Sequence, residues 1–447
     1  MRLWPKGSLW RHPDFLKLWS AETISQFGSA VDDLAIGFVA IVYLDATAFE
    51  VAVLGTLNFL PFILFTLPAG VWVDRLRRRP ILILGDFARA ALLATVPIAY
   101  IADALTLWHL YVVVFLVGTF QVFFDVAYQS YLPALVERDQ IIEGNSKLEI
   151  SRSAAQVGGP GFAGALVEIF TAPYAVLVDA ISFLASGLFL LGIRKHEDVP
   201  VRETTEDGRR TSLWTELREG LRFVFGNPNL RAQAGCTATS NLFSSVAGSI
   251  FLVFLIRELG LSAGAIGIAF SIGALGSFAA AFSAMRLSRR FGIGPTTIVM
   301  AALFGPAWLL VASAPEGNGA LPFLIAAQAV FFFTVVVYNI VQVSYRQAIC
   351  PPRLQGRMNS VMRFLVWGTI PIGTLAGGAL GTWVGLRETI VIGAIGGGLS
   401  FLWILLSPQR HLREMPEPIA EEPVSTELGP TIPGVADPLA PGDEPAR

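Results

Sequence analysis

The stretch FEVAVLGTLNFLPFILFTLPAGVWVDRLRRRP, residues 49–80, decides the fold. Between Val51 and Val73 it holds no charged residue, and it then breaks into Asp74, Arg75, Arg77, Arg78 and Arg79. A helix rises about 1.5 Å per residue, so about 20 apolar residues cross the roughly 30 Å of hydrocarbon in a bilayer. The run reads as a membrane-spanning helix that leaves the lipid at a basic turn. Pro61 and Pro68 do not argue otherwise. Within a bilayer, neighbouring groups repair the backbone bonds that a proline frees.

The same pattern recurs along the chain. Apolar segments lie near 19–44, 49–73, 80–104, 107–134, 146–170, 172–193, 232–256, 261–285, 294–314, 320–348, 359–384 and 387–407, twelve in all. Of 447 residues, 53% are hydrophobic and 15% charged, with a mean hydropathy of +0.60. Soluble domains carry about 25% charged residues, so lipid is the expected solvent. The net charge of −2 suggests no nucleic-acid partner. Cys236 and Cys350 stand far apart in apolar runs and read as buried thiols, without disulfide or metal spacing. There is no G-x-x-x-x-G-K-S/T phosphate loop and no H-E-x-x-H among the four histidines. An ATPase, an intramembrane metalloenzyme and a resident cofactor are therefore not expected.

Charge in the connections predicts the topology. Arg and Lys gather in the N-terminus (Arg2, Lys6, Arg11, Lys17), after the second span, and in the central loop from Arg194 to Arg231. They recur after the eighth span (Arg286, Arg289, Arg290), after the tenth (Arg346, Arg353, Arg357) and after the last (Arg410, Arg413). The alternate loops hold only Arg257 and Arg387, with Asp45, Glu50, Asp103 and Glu316. Positive loops stay in the cytoplasm, so both termini are placed there. The expected organisation is a six-helix bundle over 1–193, a cytoplasmic linker over 194–231, a second bundle over 232–409 and a disordered tail over 410–447. Leu213, Trp214, Leu217, Leu221, Val224 and Phe225 recur at helical spacing, which predicts an amphipathic helix on the membrane surface within the linker. The aromatic and basic N-terminus reads as an interfacial segment rather than a signal peptide.

The two halves repeat weakly but in register. QSYLPALVERDQIIEGNS (129–146) aligns with VSYRQAICPPRLQGRMNS (343–360) at an offset of 214, which carries Ser130, Tyr131, Ala134, Asn145 and Ser146 onto Ser344, Tyr345, Ala348, Asn359 and Ser360. The same offset takes Gly164 to Gly378. RLRRR at 75–79 echoes RLSRR at 286–290. Duplicated halves are the usual plan of secondary transporters, with the binding site at their interface near mid-membrane.

The loop Gly70-Val-Trp-Val-Asp74-Arg75-Leu-Arg77-Arg78-Arg79 resembles the G-x-x-x-D-R-x-G-R-R signature of the major facilitator superfamily, with Arg77 where that pattern has Gly. The stretch with Gly159, Pro160 and Gly164 is similar, in part, to that superfamily's helix 5 antiporter signature. YLPALV (131–136), VDAISFLAS (178–186) and LREGLRFVF (217–225) resemble the branch of enterobactin exporters and macrolide-efflux proteins. The resemblance implies an all-α membrane transporter of twelve helices in two pseudo-symmetric bundles. It also implies that the 2–3 loop abuts helix 11 and the 8–9 loop abuts helix 5.

Gly70 lets helices approach closely. Asp74 at a helix C-terminus needs a cation, and the neighbouring arginines can also hold anionic headgroups. At offset 214 Glu149 corresponds to Arg363, while Met285 replaces the aspartate in the second loop copy, which keeps Arg286, Arg289 and Arg290. Two complementary latches follow as an expectation: Asp74 with Arg363, and Glu149 with Arg286 or its neighbours. Both would close the cytoplasmic side and break on opening. A local Glu149–Arg152 pair is the competing reading.

Ionised side chains at mid-bilayer cost roughly 2.5–3.5 kcal/mol on insertion scales, so they face cavities or partners. Asp32 and Asp33 lie about 20 Å into helix 1, and their side chains diverge by about 100°. Only one is expected to face the cavity that helices 1 and 4 line in the resembled family. With Asp125 they are the candidates for proton coupling or for binding a cationic substrate; a structural role between helices competes. Asp179 reads as structural, Asp86 and Arg89 as a local pair, and Glu22 as solvated. Gln121, Tyr128, Gln129, Asn339, Gln342 and Tyr345, with Phe120, Phe123, Phe124 and Phe331 to Phe333, would make an aromatic amphiphilic pocket, although lipid-facing phenylalanines are the commoner case.

The function expected is proton-coupled efflux of a hydrophobic or amphiphilic small molecule, drug- or siderophore-like, by a monomer in the inner cell membrane. Its partners would be that substrate, the coupling proton and membrane lipids. Import or lysolipid flipping is the alternative transport reading, and a non-transporting sensor or scaffold the alternative of another class.

Overall fold

Helices follow the apolar runs and start where the sequence supplies a cap. The computed structural model describes residues 9–73, 76–137, 140–195 and 213–414. The first helix, α1 (Pro13–Phe38), begins with proline behind His12, whose Nδ1 accepts from the Phe15 N–H at 3.0 Å. It runs on through one π turn, Val39–Tyr43. Next come α2 (Ala48–Val73), α3 (Arg78–Ile101), α4 (Leu107–Leu135), α5 (Ile141–Phe170) and α6 (Ala172–Leu191). A short α7 (Leu213–Gly226) precedes α8 (Pro228–Arg257), which Asn227 caps, and α9 (Ala263–Phe291), which Ser262 caps. The last spans are segmented: α10 (Ile293–Ala302) with α11 (Phe304–Ala312), then α12 (Leu321–Ile349), α13 (Pro352–Trp367) with α14 (Thr369–Trp383), and α15 (Leu386–Gly398) with α16 (Leu402–Leu405). There is no strand among the described residues.

Eleven of these stretches are long and apolar enough to cross a bilayer. The expected fifth span is a helix, but it falls short of that apolarity. Glu143, Lys147, Glu149, Arg152, Gln156 and Glu168 all lie on it. This helix is packed between α1 and α9, and Glu149, Arg152, Gln156 and Glu168 are exposed on it.

The two groups of helices repeat one neighbour order. In the first, α1 lies on α5 and α6, α3 on α4 and α6, and α2 on α4. In the second, α8 lies on α14 and α15, α11 on α12 and α15, and α9 on α12. Two seams join the groups, α5 with α9 and α2 with α14.

The apolar core shows where the seams are tight. Away from the arginine-rich face, one core draws on both groups, from Val31, Ala35, Val96 and Ala163 to Phe254, Ile266, Val311 and Ile390. At the arginine-rich face that core splits. Leu9, Phe15, Leu82, Tyr131 and Leu190 form one cluster, and Leu230, Ala284, Tyr345, Met358 and Ile404 another. The molecule is thus closed at one face and parted at the other.

The described end of the N-terminal segment packs on the first group: Leu9 is fully buried, its N–H donates to Glu143, and Trp10 packs edge-on against Trp19 beneath Lys147. Two expectations change. Glu22 is buried, not solvated, because the helices packed on α1 cover it, and its carboxylate accepts from the Gln26 amide at 2.7 Å. Residues 410–413, assigned to a disordered tail, fold back on α10, where the Gly294 N–H donates to the Leu412 carbonyl at 2.8 Å. The linker stretch forms a helix over Leu213–Gly226, with Val224 buried and Phe225 exposed. It packs on α13, where Gly220 meets the Arg357 backbone and Glu219 pairs with Arg357.

Candidate functional site

A cavity of about 570 Å³ opens between the groups. From the first come Gln26, Ser29 and Asp33 on α1 and Arg152, Gln156 and Pro160 on α5. From the second come Gly248, Phe251 and Leu252 on α8 and Phe270 on α9, with the two phenylalanine rings stacked 5.7 Å apart. A second hollow of about 370 Å³ shares Gly248 and is lined by Asn241, Ser244, Ser245, Ser249 and Thr374. One wall is therefore charged and aromatic, and the adjoining one is hydroxyl-rich and uncharged. Such a surface suits an amphiphile that has both an apolar ring and hydrogen-bonding groups.

Asp33 and Asp32 part as their 100° offset requires. Asp33 is exposed to the cavity. Asp32 turns inward, and its Oδ1 has no hydrogen-bond partner among the described residues. Gly28, one turn before Asp32, is what lets α6 in: a Cβ there would strike Asp179 and Ser182. Asp179 is 1% exposed and accepts from the Ser182 hydroxyl at 2.8 Å.

Arg89 is the hub that the sequence reading missed. It is 2% exposed, 2.5 Å from Asp86, and sandwiched between the rings of Phe124 and Phe183 at 4.4 and 4.0 Å. It also donates to Gln121, whose amide donates to Asp125 at 2.7 Å, while Ser186 donates to the other oxygen of Asp86 at 2.6 Å. Asp86 and Arg89 do pair, but as the centre of a network over α3, α4 and α6. Asp125 and Gln121 belong to that network, and neither lines the two hollows described above. Tyr128 stacks on Phe124, Gln342 donates to Asn339 at 3.2 Å on α12, and none of the three lines the hollows either. Phe123 stacks on Trp72 and Phe331 meets Trp308 edge-on, so the aromatic lining comes instead from Phe251 and Phe270.

The helix 5 signature serves two contacts. A Cβ on Gly159 would strike Ala30 of α1 within the first group, and one on Gly164 would strike the Ala263 carbonyl and Gly267 across the closed seam. The Gly161 N–H donates to Ser271 at 2.8 Å, and Glu168 accepts from the Gly264 N–H at 2.9 Å. Nearby, Arg257 reaches Asp45 at 2.7 Å across the groups. A lone carboxylate in the last turn of α5 was the legible signal for Glu168, since it is stable there only against positive charge or another helix's N-terminus.

The described residues of the expected gate stand apart. Asp74 and Arg75 lie outside the described residues, and Gly70 lies in the last turns of α2. Arg78 and Arg79 open α3, and Arg79 donates to the Leu190 and Leu191 carbonyls at 3.1 and 2.7 Å. Arg363 is exposed over the Trp367 ring at 5.0 Å. Glu149 is 3.9 Å from Arg152, with side chains 66% and 60% exposed. Arg286 reaches the Phe282 carbonyl at 3.4 Å, and Arg289 and Arg290 are at the surface of the same helix end.

The sequence pattern of the transmembrane secretion effector family matches residues 8–432. The chain belongs to this family of major facilitator superfamily transporters. It is similar to the multidrug efflux pump Tap of Mycolicibacterium fortuitum, 26% identical over 395 residues that cover 85% of this chain and 92% of that protein. Macrolide efflux protein A of Streptococcus pyogenes is 22% identical over 218 residues, 49% of this chain and 53% of its own. Among solved structures, a bacterial homologue of the iron transporter ferroportin in its inward-facing state superposes with a TM-score of 0.69 at 16% identity, covering 89% of this chain and 98% of its own. The protein is therefore a multi-pass transporter of the cell membrane, not an enzyme.

Proposed function

We propose that this secretion effector is a proton-coupled exporter of amphiphilic small molecules. In this reading α5 is the twelfth span, both termini are cytoplasmic, and bundles 1–193 and 232–409 rock about the cavity as a monomer within the membrane's lipids. The single observation that carries it is the asymmetry of closure. The α5–α9 and α2–α14 seams are tight away from the arginine-rich face, and the core is split at it. With that face in the cytoplasm, the cavity is presented to the cell interior, as uptake of an export substrate requires. Asp33 is the carboxyl best placed to meet both proton and substrate. Asp32 and Asp125 line neither hollow, and the buried network through Arg89 ties three helices of the moving bundle together. The efflux pumps named above are consistent with the direction.

The test is flux with a fluorescent amphiphilic cation in vesicles of both orientations. Inside-out vesicles with an acid lumen should accumulate the dye and lose it when an uncoupler collapses the gradient. Uptake confined to right-side-out vesicles would mean import, and accumulation indifferent to the gradient would remove the proton.

A further inference from the structure

A groove of about 410 Å³ runs between the ends of α3 and α6 at the arginine-rich face, on the outside of the first bundle and away from the cavity. Its mouth carries Arg77, Arg79 and Lys195, and no acid lines it. Its floor continues along α3 through Ile83, Leu84 and Phe87, with Leu191 opposite. Leu84 is 63% and Leu191 48% exposed, so this apolar floor looks out toward lipid. Arg79 is pinned by the α6 carbonyls, and the Lys195 ammonium donates to the Leu135 carbonyl at 3.0 Å, so both cations are held in place. The carboxylate of Asp14 nearby is already taken by Lys17 and by the Arg194 and Lys195 N–H groups. From Arg79 to Phe87 is about 12 Å along the helix at about 1.5 Å per residue, the depth from a phosphate to well within an acyl chain. Arg77, the one departure from the loop signature, supplies the outermost cation.

We propose that this groove binds one anionic phospholipid, its phosphate on Arg77, Arg79 and Lys195 and one acyl chain along Ile83, Leu84 and Phe87. Three cations at the membrane surface and an apolar track leading from them into the hydrocarbon match a charged head joined to a tail. A free phosphate would use the first and leave the second empty.

Native mass spectrometry of the full chain in detergent, titrated with phosphatidylglycerol, reads the site directly. Phosphatidylcholine and glycerol phosphate serve as the two comparison ligands. The expected result is one phosphatidylglycerol retained well above phosphatidylcholine, with glycerol phosphate not retained. Losing two surface cations at about 1 kcal/mol each should weaken it about 30-fold in the double variant Arg77→Gln, Lys195→Gln. Should that variant not fold, Arg77→Glu alone, at an exposed side chain, should still lower retention, and Leu84→Gln should lower it without changing the preference for the anionic head. Equal retention of phosphatidylcholine, undiminished retention in the cation variants, or glycerol phosphate binding as tightly as the lipid would overturn the proposal.

Discussion

Gly164 and Gly378, 214 residues apart, hold the same post in opposite seams. A Cβ on Gly164 would collide with Ala263 and Gly267 of α9, and one on Gly378 with Ala52 and Phe49 of α2. Helices packed without a net hydrophobic drive rely on such close backbone approach. The internal repeat is thus visible as mechanics: each bundle brings a glycine of its fifth helix to the second helix of the other.

Gly164→Val tests this directly. The atom in its way is the Ala263 carbonyl, which is backbone and cannot swing aside. Overpacking of this kind costs about 1–3 kcal/mol, which shifts a two-state equilibrium about 5–150-fold. The expected outcome is a population moved toward opening at this seam and a matching fall in transport. Distances between spin labels across the α5–α9 seam should lengthen. Unchanged distances would mean that the seam does not define the state.

Arg89→Ala should be the most damaging single change in the first bundle. It would leave Asp86, fully buried, without its cation. Removing one partner of a buried pair costs about 3–5 kcal/mol. Replacing both, Arg89→Leu with Asp86→Leu, should melt closer to the parent than Arg89→Ala does, although it will not restore transport. Thermal unfolding of the purified variants measures this, and equal loss in single and double variants would show that the pair is not the centre of the network.

Much of this was legible beforehand because lipid is a demanding solvent. The apolar runs around α1 to α4, the repeat, and the divergence of Asp32 from Asp33 all follow from helix period and hydrocarbon thickness. Arg257, one of only two arginines in the sparsely charged loops, finds Asp45; the other, Arg387, lies 3.5 Å from Glu258. What periodicity could not supply was which buried groups meet. Arg89 joins Gln121, and its partner Asp86 joins Ser186, on helices far away in sequence, and Glu22 is buried by neighbours rather than by its depth along the chain. The polarity of α5 has a related origin, since its Arg152 and Gln156 line the cavity between the groups.

Asp33→Asn and Asp32→Asn should separate the two roles. Asp33 faces the cavity, so Asp33→Asn should abolish dye accumulation driven by a pH gradient while leaving the melting temperature within about 2 °C, as for a surface change within about 0.5 kcal/mol. Asp32→Asn replaces a buried oxygen that has no partner among the described residues with a group that can donate toward Asp179. It should be neutral or stabilising in the same unfolding assay. If Asp32→Asn lost gradient-driven transport and Asp33→Asn kept it, the assignment of the cavity carboxyl would be reversed.

The parted face makes its own prediction about closure. Glu149 and Arg152 are so exposed that their contact contributes about 0–1 kcal/mol, which is too little to keep Glu149 from a better partner. Arg286, Arg289 and Arg290 wait at the end of α9, the helix that α5 already touches at its other end. Arg363 waits likewise over Trp367. When the bundles rock shut at this face, complementary charges should meet at both seams. Glu149→Arg and Arg286→Glu should each slow transport, and the double swap should recover it; the same holds for Asp74→Arg with Arg363→Asp. The single-variant defects should shrink as salt rises from 0.01 to about 1 M, because exposed pairs are screened over that range. A double swap no faster than its slower single would remove the latch from that seam and leave Glu149 as a partner of Arg152 alone.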